Sequence, residues 1–381
     1  MKIAVVGLGK LGTPLAAWTN TRHEVVGIDA NPDIVEAVNM GLSPVQEPGV
    51  DALITFDATT DYAAAADAET VFVVVPTPSL EDGGFSLEYV QAAVDGLRPH
   101  LTPAHLLVVV STVMPGHMDR VARGLDCGVC YNPFFIALGS VLHDMQEPDL
   151  LLIGQGRPRD GLRLVQFWRS MGVQVPTFTL DYRSAEVAKL ALNCFVTMKI
   201  SYANTVGELC EALGADANAV TAAIGHDRRV GAHYLKPATA YGGPCFPRDS
   251  RAFIKAAGAV GVDPALARAT DQVNAWQHKR LRNQVLEALE GLDGPGVVAV
   301  LGLAYKVGTS VIEESPGLAL AELLQEQGIE VLTHDPAVYD SGGNPQAMVD
   351  RADVVVVTTP WPEYKNLDYS GRIVIDPWGI T

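Results

Sequence analysis

One thiol stands among backbone kinks, four residues ahead of a carboxylate, in the segment Tyr241-Gly-Gly-Pro-Cys-Phe-Pro-Arg-Asp249. Glycine lets backbones approach closely and the two prolines stiffen the turn, so the sulfur of Cys245 is expected on a fixed platform. A fixed thiol can add to an aldehyde; the hemithioacetal can lose a hydride, leaving a thioester that water cleaves. The same residues also read as a buried cysteine in a Gly/Pro turn, because free cysteine behaves as a small hydrophobe. A second set is Glu186, Lys189 and Asn193, whose i, i+3, i+7 spacing puts them on one face of a helix. Leu190, Leu192 and Phe195 fall on other faces, where burial is expected; the polar trio alone also fits a solvated stripe.

These groups need elements to position them. Residues 2–7 read as a strand ending in Gly7-Leu-Gly9-Lys-Leu-Gly12, a helical segment follows from Thr13 to Trp18, and Glu24-Val-Val-Gly-Ile-Asp29 is a second strand ending in an acid. Strand, tight turn, helix, strand, acid is the context a dinucleotide-binding fingerprint requires. Gly7 permits the turn, Gly9 lets amides approach a pyrophosphate at a helix N-terminus, and Gly12 lets helix and strand pack closely. Asp29 would accept hydrogen bonds from the ribose diol and repel a 2′-phosphate, so NAD is expected over NADP. Thr70–Val75 runs into Pro76-Thr77-Pro78, and Leu106–Val110 into Ser111-Thr112-Val113-Met114-Pro115-Gly116. Pro76, Thr77, Ser111 and Thr112 thus fall beyond the carboxyl ends of strands, where such sheets bind ligands; turn chemistry or helix capping is the other reading of the hydroxyls.

The C-terminal portion repeats the plan: Val297–Ala304 parallels the first strand and turn, Glu330–Asp335 the second, and Asp353–Pro360 the run into Pro78. Ala304 replaces the second fingerprint glycine, which argues against a pyrophosphate bound in the same way. Gly291–Gly296 reads as the join into this part, and Asp181–Leu213, which lacks proline, as a mostly helical segment between the sheets.

The 381 residues are too many for one ordinary core. A net charge of −17 argues against nucleic acid and anionic membrane surfaces as partners. No apolar run approaches the roughly 18 residues of a spanning helix. The start leads straight into a strand, so no signal peptide is expected, and the odd, scattered set of five cysteines reads as reduced thiols in a cytoplasmic protein. Cys127-x-x-Cys130 lacks a second pair or histidines at zinc spacing, so no metal is expected.

The fingerprint start, VPTP, STVMPG, YNPFFIALGS, the Glu186/Lys189/Asn193 helix, YGGPCFPRD and GLAYKVGT follow one another in an order that resembles the nucleotide-sugar 6-dehydrogenases, the family that includes UDP-glucose and GDP-mannose dehydrogenases. The resemblance runs from Met1 to about Pro377. It implies an α/β fold of two Rossmann-like, doubly wound parallel-sheet domains joined by a long central helix and a small helical domain, with boundaries expected at 1–180, 181–290 and 291–381. It also implies a homodimer formed through that helix, and oxidation of a sugar CH2OH to a carboxylate with two NAD. By resemblance, Cys245 is the nucleophile, Lys189 stabilises an oxyanion, and Asp249 moves the proton through a water that Asn193 and Thr112 position. Leu11 and Arg248 join Gly7, Gly9, Gly12, Asp29, Pro76, Thr77, Ser111 and Thr112 on the cofactor side. Phe134, Leu138, Arg229, Tyr234, Lys236, Gly242 and Lys306 join Lys189 and Asn193 on the substrate side, with Arg229 reaching the neighbouring subunit's ligand. Tyr234-Leu-Lys236-Pro resembles the UDP-sugar members, which makes UDP the expected nucleotide.

Three positions depart from the pattern. Phe134 and Leu138 stand where many relatives carry glutamates, the first often taken as the base for thioester hydrolysis, and Glu313 stands where many carry an arginine near the cofactor. Phenylalanine accepts no proton, so the chain could release acid slowly, stop at the aldehyde, or take a substrate suited to an aromatic wall. A relative that binds NAD or a sugar nucleotide without turnover is the alternative of another class; possession of Cys245, Lys189, Asn193 and Asp249 together argues against it.

Overall fold

The structure is a computed structural model that describes residues 1–45, 47–292, 294–338, 341 and 343–381. The expected join at 291–296 contains Asp293, which lies outside the described residues. Short runs become strands, apolar at the centre of the sheet and mixed in β3 and β8 at its edges: β1 (Lys2–Val6), β2 (Glu24–Ile28), β3 (Asp57–Thr59), β4 (Thr70–Val73), β5 (Leu106–Val109), β6 (Gly128–Tyr131), β7 (Leu151–Gln155) and β8 (Thr177–Leu180). They form one sheet in the order β3-β2-β1-β4-β5-β6-β7-β8. Helices cover such sheets on both faces, which is why β5 is buried along its whole length rather than alternating. The chain order reverses between β1 and β4, so the crevice at their carboxyl ends is the ligand position of a doubly wound sheet. The sheet is parallel except where β7 runs antiparallel to β6, pairing Tyr131 with Gly154.

A second sheet follows in the C-terminal part. β9 (Val297–Leu301), β10 (Glu330–His334), β11 (Val354–Val357) and β12 (Ile373–Ile375) are all parallel, in the order β10-β9-β11-β12. The fold is therefore two parallel-sheet α/β domains with helices, as expected. The switch point here lies between β9 and β11, and Lys306 follows β9 on that edge.

The helix Tyr182–Leu213 comes between the sheets in sequence. Its 32 residues contain no proline. Asp181 starts it by accepting the Ser184 N–H at 2.9 Å and the Ser184 hydroxyl at 2.8 Å, bonds that hold its carboxyl below the usual range. The chain divides into two compact units, Met1–Ala191 and Leu192–Thr381, at a point inside this helix between Lys189 and Asn193.

The helix corrects an expectation about its faces. Phe195, expected to be buried, is 58% exposed, whereas Glu186, Lys189 and Asn193 are buried; Leu190 is buried as expected. The polar trio is thus an inward face and not a solvated stripe. Burying three such groups costs several kcal/mol unless each is hydrogen-bonded, and each has partners.

Candidate active site

In the first unit the fingerprint takes the shape its glycines allow. Gly7 has φ 91°, and a Cβ there would overlap the Val74 carbonyl; one on Gly12 would overlap the Gly7 carbonyl. These two glycines let β1, the β4 loop and the first helix meet. A Cβ on Gly9, by contrast, would meet nothing within 4 Å. Leu11 precedes the helix Gly12–Asn20, and no side chain caps that helix. Asp29 accepts the Leu8 N–H at 2.7 Å on one oxygen and the Asn31 N–H at 2.9 Å on the other, and stays half-buried. Open space at Gly9, uncapped amides and a partly exposed carboxylate fit a pyrophosphate and a ribose diol.

At the ends of β4 and β5, the Thr77 hydroxyl donates to the Thr112 carbonyl at 2.8 Å and the Ser111 hydroxyl donates to the Val75 carbonyl at 2.6 Å. Both hydroxyls therefore tie the two loops to each other, which is the turn-chemistry reading. Pro76 is exposed beside them and Thr112 half-buried. Glu186, fully buried, reaches the same region: its carboxylate accepts the Gly116 N–H at 2.6 Å and the Met118 N–H at 2.7 Å. Burial pushes its carboxyl up to about 6, against the pull of those two amides.

Three residues on, Lys189 donates to the Phe134 carbonyl at 2.8 Å, with its ammonium 4.4 Å from the centroid of the Phe135 ring. The Phe134 ring meets Trp168 edge-on at 5.8 Å, and Trp168 is fixed by donating to the Asn132 side-chain oxygen at 2.8 Å. Phe134 is thus half-buried at the margin of an aromatic cluster, and Leu138 is buried. Their loop is held from outside: Glu47 accepts the Gly139 N–H at 2.7 Å and Asp144 accepts the Ala137 N–H at 2.8 Å.

In the second unit, Asn193 donates to a carboxylate oxygen of Asp249 at 2.6 Å, and Arg248 lies 3.5 Å from the other oxygen. Asp249 is buried, one helical turn beyond Cys245, which is the N-cap of the helix Phe246–Ala259 and is exposed. The reading of Cys245 as a buried core cysteine is corrected: Pro247, Asp249, Ser250 and Ala252 form the inward face, and the cap position puts the sulfur outside it. The double glycine has a packing cause. The Gly243 N–H donates to the Glu313 carbonyl at 2.9 Å, and a Cβ on Gly242 would overlap the Glu314 carbonyl. Arg251 on the cysteine helix pairs with the Glu314 carboxylate at 2.6 Å.

Other expected ligand residues have local partners. The Arg229 guanidinium grips Asp227 two residues earlier, at 2.7 Å, and holds that carboxyl below its usual range. Lys236 donates to the Trp378 carbonyl at 2.7 Å. Tyr234 is exposed, with φ 60° and its ring 6.1 Å from that of Phe246; Lys306 is half-buried. Cys127 and Cys130 are buried, and burial raises both thiols, Cys130 to about 12. Among the described residues no group of three His, Cys, Asp or Glu side chains could hold a metal ion, and no helix is long and apolar enough to cross a membrane.

The second sheet uses its acid differently from the first. One oxygen of Asp335 accepts the Leu303 and Ala304 N–H groups at 2.8 Å each and the Trp361 indole N–H at 3.0 Å. The other accepts the Ala337 and Val338 N–H groups, at 2.9 and 3.2 Å. Asp335 is 1% exposed, so no ribose diol meets it there. Trp361 gave no signal in the sequence; its part follows only from where β11 ends. Glu186 was legible as a face but not as a clamp.

A fingerprinted parallel sheet, a helix with an inward polar face, a thiol at a helix cap and a second nucleotide-type sheet together define a dinucleotide-dependent dehydrogenase with two nucleotide-binding folds. Three family models match in order: the NAD binding domain of the UDP-glucose/GDP-mannose dehydrogenase family at residues 1–171, its central domain at 183–276 and its UDP binding domain at 299–381. The UDP-glucose 6-dehydrogenase of Haloferax volcanii is 33% identical, over 99% of this chain and 96% of its own; that of Pseudomonas aeruginosa is 32% identical, over 97% and 90%. The solved UDP-glucose dehydrogenase of Pyrobaculum islandicum superposes with a TM-score of 0.90 at 35% identity, over 99% of this chain and 94% of its own. The chain belongs to the UDP-glucose/GDP-mannose dehydrogenase family and is an NAD-dependent nucleotide-sugar dehydrogenase.

Proposed function

We propose that this chain oxidises the primary alcohol at C6 of a UDP-linked sugar to the uronic acid through a thioester on Cys245. The observation that carries the reading is the buried Asn193–Asp249 bond of 2.6 Å, one turn from an exposed thiol on the same helix. NAD, when bound at Gly7, Gly9, Leu11, Gly12, Asp29 and the Pro76, Thr77, Ser111 and Thr112 loops, would accept one hydride from the sugar carbon, so two NAD bound in turn take the two hydrides; the assignment of Arg248 to the cofactor rests on the family resemblance. Asp249, with one oxygen fixed by Asn193 and the other near Arg248, takes the alcohol proton through a water. The Cys245 sulfur then adds to the aldehyde carbon and its proton passes to solvent; after the second hydride leaves, water breaks the C–S bond and restores the thiol. The assignment of Lys189 to the oxyanion, and of Thr112 to water positioning, rests on the family resemblance. Phe134, Leu138, Arg229, Tyr234, Lys236, Gly242 and Lys306 form the substrate side on the same ground.

A second reading concerns the last step. Phe134 is packed against Trp168 and offers only its carbonyl to Lys189, so hydrolysis lacks a side-chain base at that position. Slow thioester release, or a stop at the aldehyde, is the expected consequence. We assign domain boundaries at 1–180, 181–290 and 291–381, and a homodimer. The dimer is supported by Phe195, Tyr202 and Leu209, which recur every seven residues along the long helix and are all more than half exposed. The test is NADH production from UDP-glucose, UDP-N-acetylhexosamines and GDP-mannose, repeated with Cys245→Ser. Two NADH per sugar, falling to one or fewer in the variant, supports the thioester route; equal stoichiometry in both removes it, and no NADH with tight binding retained points to a non-catalytic binder.

A further inference from the structure

The loop that follows β5 is fastened at both ends. At its start, Ser111 donates to Val75 and Thr77 donates to the Thr112 carbonyl, at 2.6 and 2.8 Å. At its far end both oxygens of Glu186 are engaged, one by the Gly116 N–H at 2.6 Å and one by the Met118 N–H at 2.7 Å. These amides belong to the start of the short helix His117–Val121, which no residue of its own caps. Gly116, with φ 90°, is turned so that its N–H faces the carboxylate. A second tie joins the same two elements: Arg183, three residues before Glu186, pairs with Asp119 at 2.9 Å.

A fully buried carboxylate is a costly group for packing alone, since it must be desolvated and every oxygen satisfied. Its place gives it a use. Glu186 lies one turn before Lys189, which is itself fixed to the Phe134 carbonyl at 2.8 Å. The loop bearing Thr112 and the lysine are thereby set by one turn of one helix.

We propose that Glu186 is a positioning residue that clamps the Ser111–Met118 loop to the helical turn presenting Lys189, fixing Thr112 and Lys189 as one piece. The inference rests on the oxidation proposed above. Glu186→Gln keeps the shape but turns one acceptor into a donor facing a buried N–H. Amide exchange across residues 111–121 should quicken about tenfold. kcat should fall between about 10- and 100-fold, the scale of a misplaced reacting group, with KM and NAD affinity within about twofold. A purely structural role would lower the melting temperature without coupling to Thr112. The clamp requires coupling, so Glu186→Gln added to Thr112→Ala should cost little beyond Thr112→Ala alone. Fully multiplying losses, or exchange unchanged in the variant, overturns the proposal. Should the glutamine variant fail to fold, Glu186→Asp, which withdraws the charge by about 1.5 Å, takes the same tests with the same outcomes. If the wild-type protein makes no NADH, the oxidation reading falls, and amide exchange alone decides the clamp.

Discussion

Placing a base where Phe134 stands should change which step limits turnover. The phenylalanine ring meets Trp168 edge-on at 5.8 Å, while its backbone carbonyl takes the Lys189 ammonium at 2.8 Å. Phe134→Glu loses the edge contact, worth about 0.5–1.5 kcal/mol, and part of the ring's burial. The new carboxylate has a cation near its own backbone to offset some of its desolvation. The net cost should be about 2 kcal/mol, a drop of a few degrees in melting temperature for a chain this size. Against this, a positioned base contributes roughly 10²–10⁴ in rate, equivalent to about 3–5 kcal/mol of barrier. Wild-type enzyme mixed rapidly with sugar nucleotide and NAD should therefore show a burst of NADH followed by a slow phase, with acyl mass retained on Cys245. In Phe134→Glu the burst should merge into a faster steady rate and the retained mass should vanish. A linear wild-type trace with two NADH per sugar, or a folded variant slower than wild type, refutes the reasoning.

Other perturbations follow from contacts already described. Asn193→Ala removes the 2.6 Å donor to buried Asp249 and should destabilise by about 1.5–3 kcal/mol in urea unfolding, with kcat falling alongside; unchanged stability would show the bond to be idle. Asp29→Ala should weaken NAD binding, read by fluorescence titration, and narrow the preference over NADP, because the repelling carboxylate is gone. Glu186 is raised by burial to about 6, so the folded state holds its proton more tightly than the unfolded one. Its contribution is greatest below about pH 4.5 and is lost as pH rises to about 6, a change of roughly 2 kcal/mol. The unfolding free energy of Glu186→Gln relative to wild type should therefore shift by that amount in the variant's favour between pH 4.5 and 7.5, and a pH-independent difference would contradict the assignment. Tyr202→Glu, in the middle of the exposed helix stripe, should shift the sedimentation coefficient toward the monomer, and an unchanged value argues against that face as the dimer contact.

Elements that depend on local pattern were legible from the sequence. β1, β9 and β11 are apolar runs, β2 and β10 runs followed by an acid, and Gly7 and Gly12 sit where backbones nearly touch, so residue type there followed directly from sterics. The direction of β7 was not legible, because a run such as Leu151–Gln155 is equally apolar whichever way it runs. The long helix was legible as a helix but misread in section: Phe195 was expected inside, yet the sites for Lys189 and Asn193 take the inward face and push the aromatic residue out. Lys236 and Arg229 look like ligands in sequence, but their nearest partners, the Trp378 carbonyl and Asp227, depend on folding or local geometry that residue type does not encode. Glu186 illustrates the general limit, since its two amide partners lie 68 and 70 residues away.

The carboxylate ending β10 has spent all its acceptor capacity on its own sheet, whereas its counterpart after β2 accepts one N–H on each oxygen and stays partly exposed. Two similar folds thus differ at one position: the acid after β2 is partly exposed and the acid after β10 is buried. Titration with NAD should therefore count one equivalent per chain, and a second equivalent would refute this reading. Turning one acid inward is a way to make two copies of one fold differ in what they offer a ribose, without a steric block.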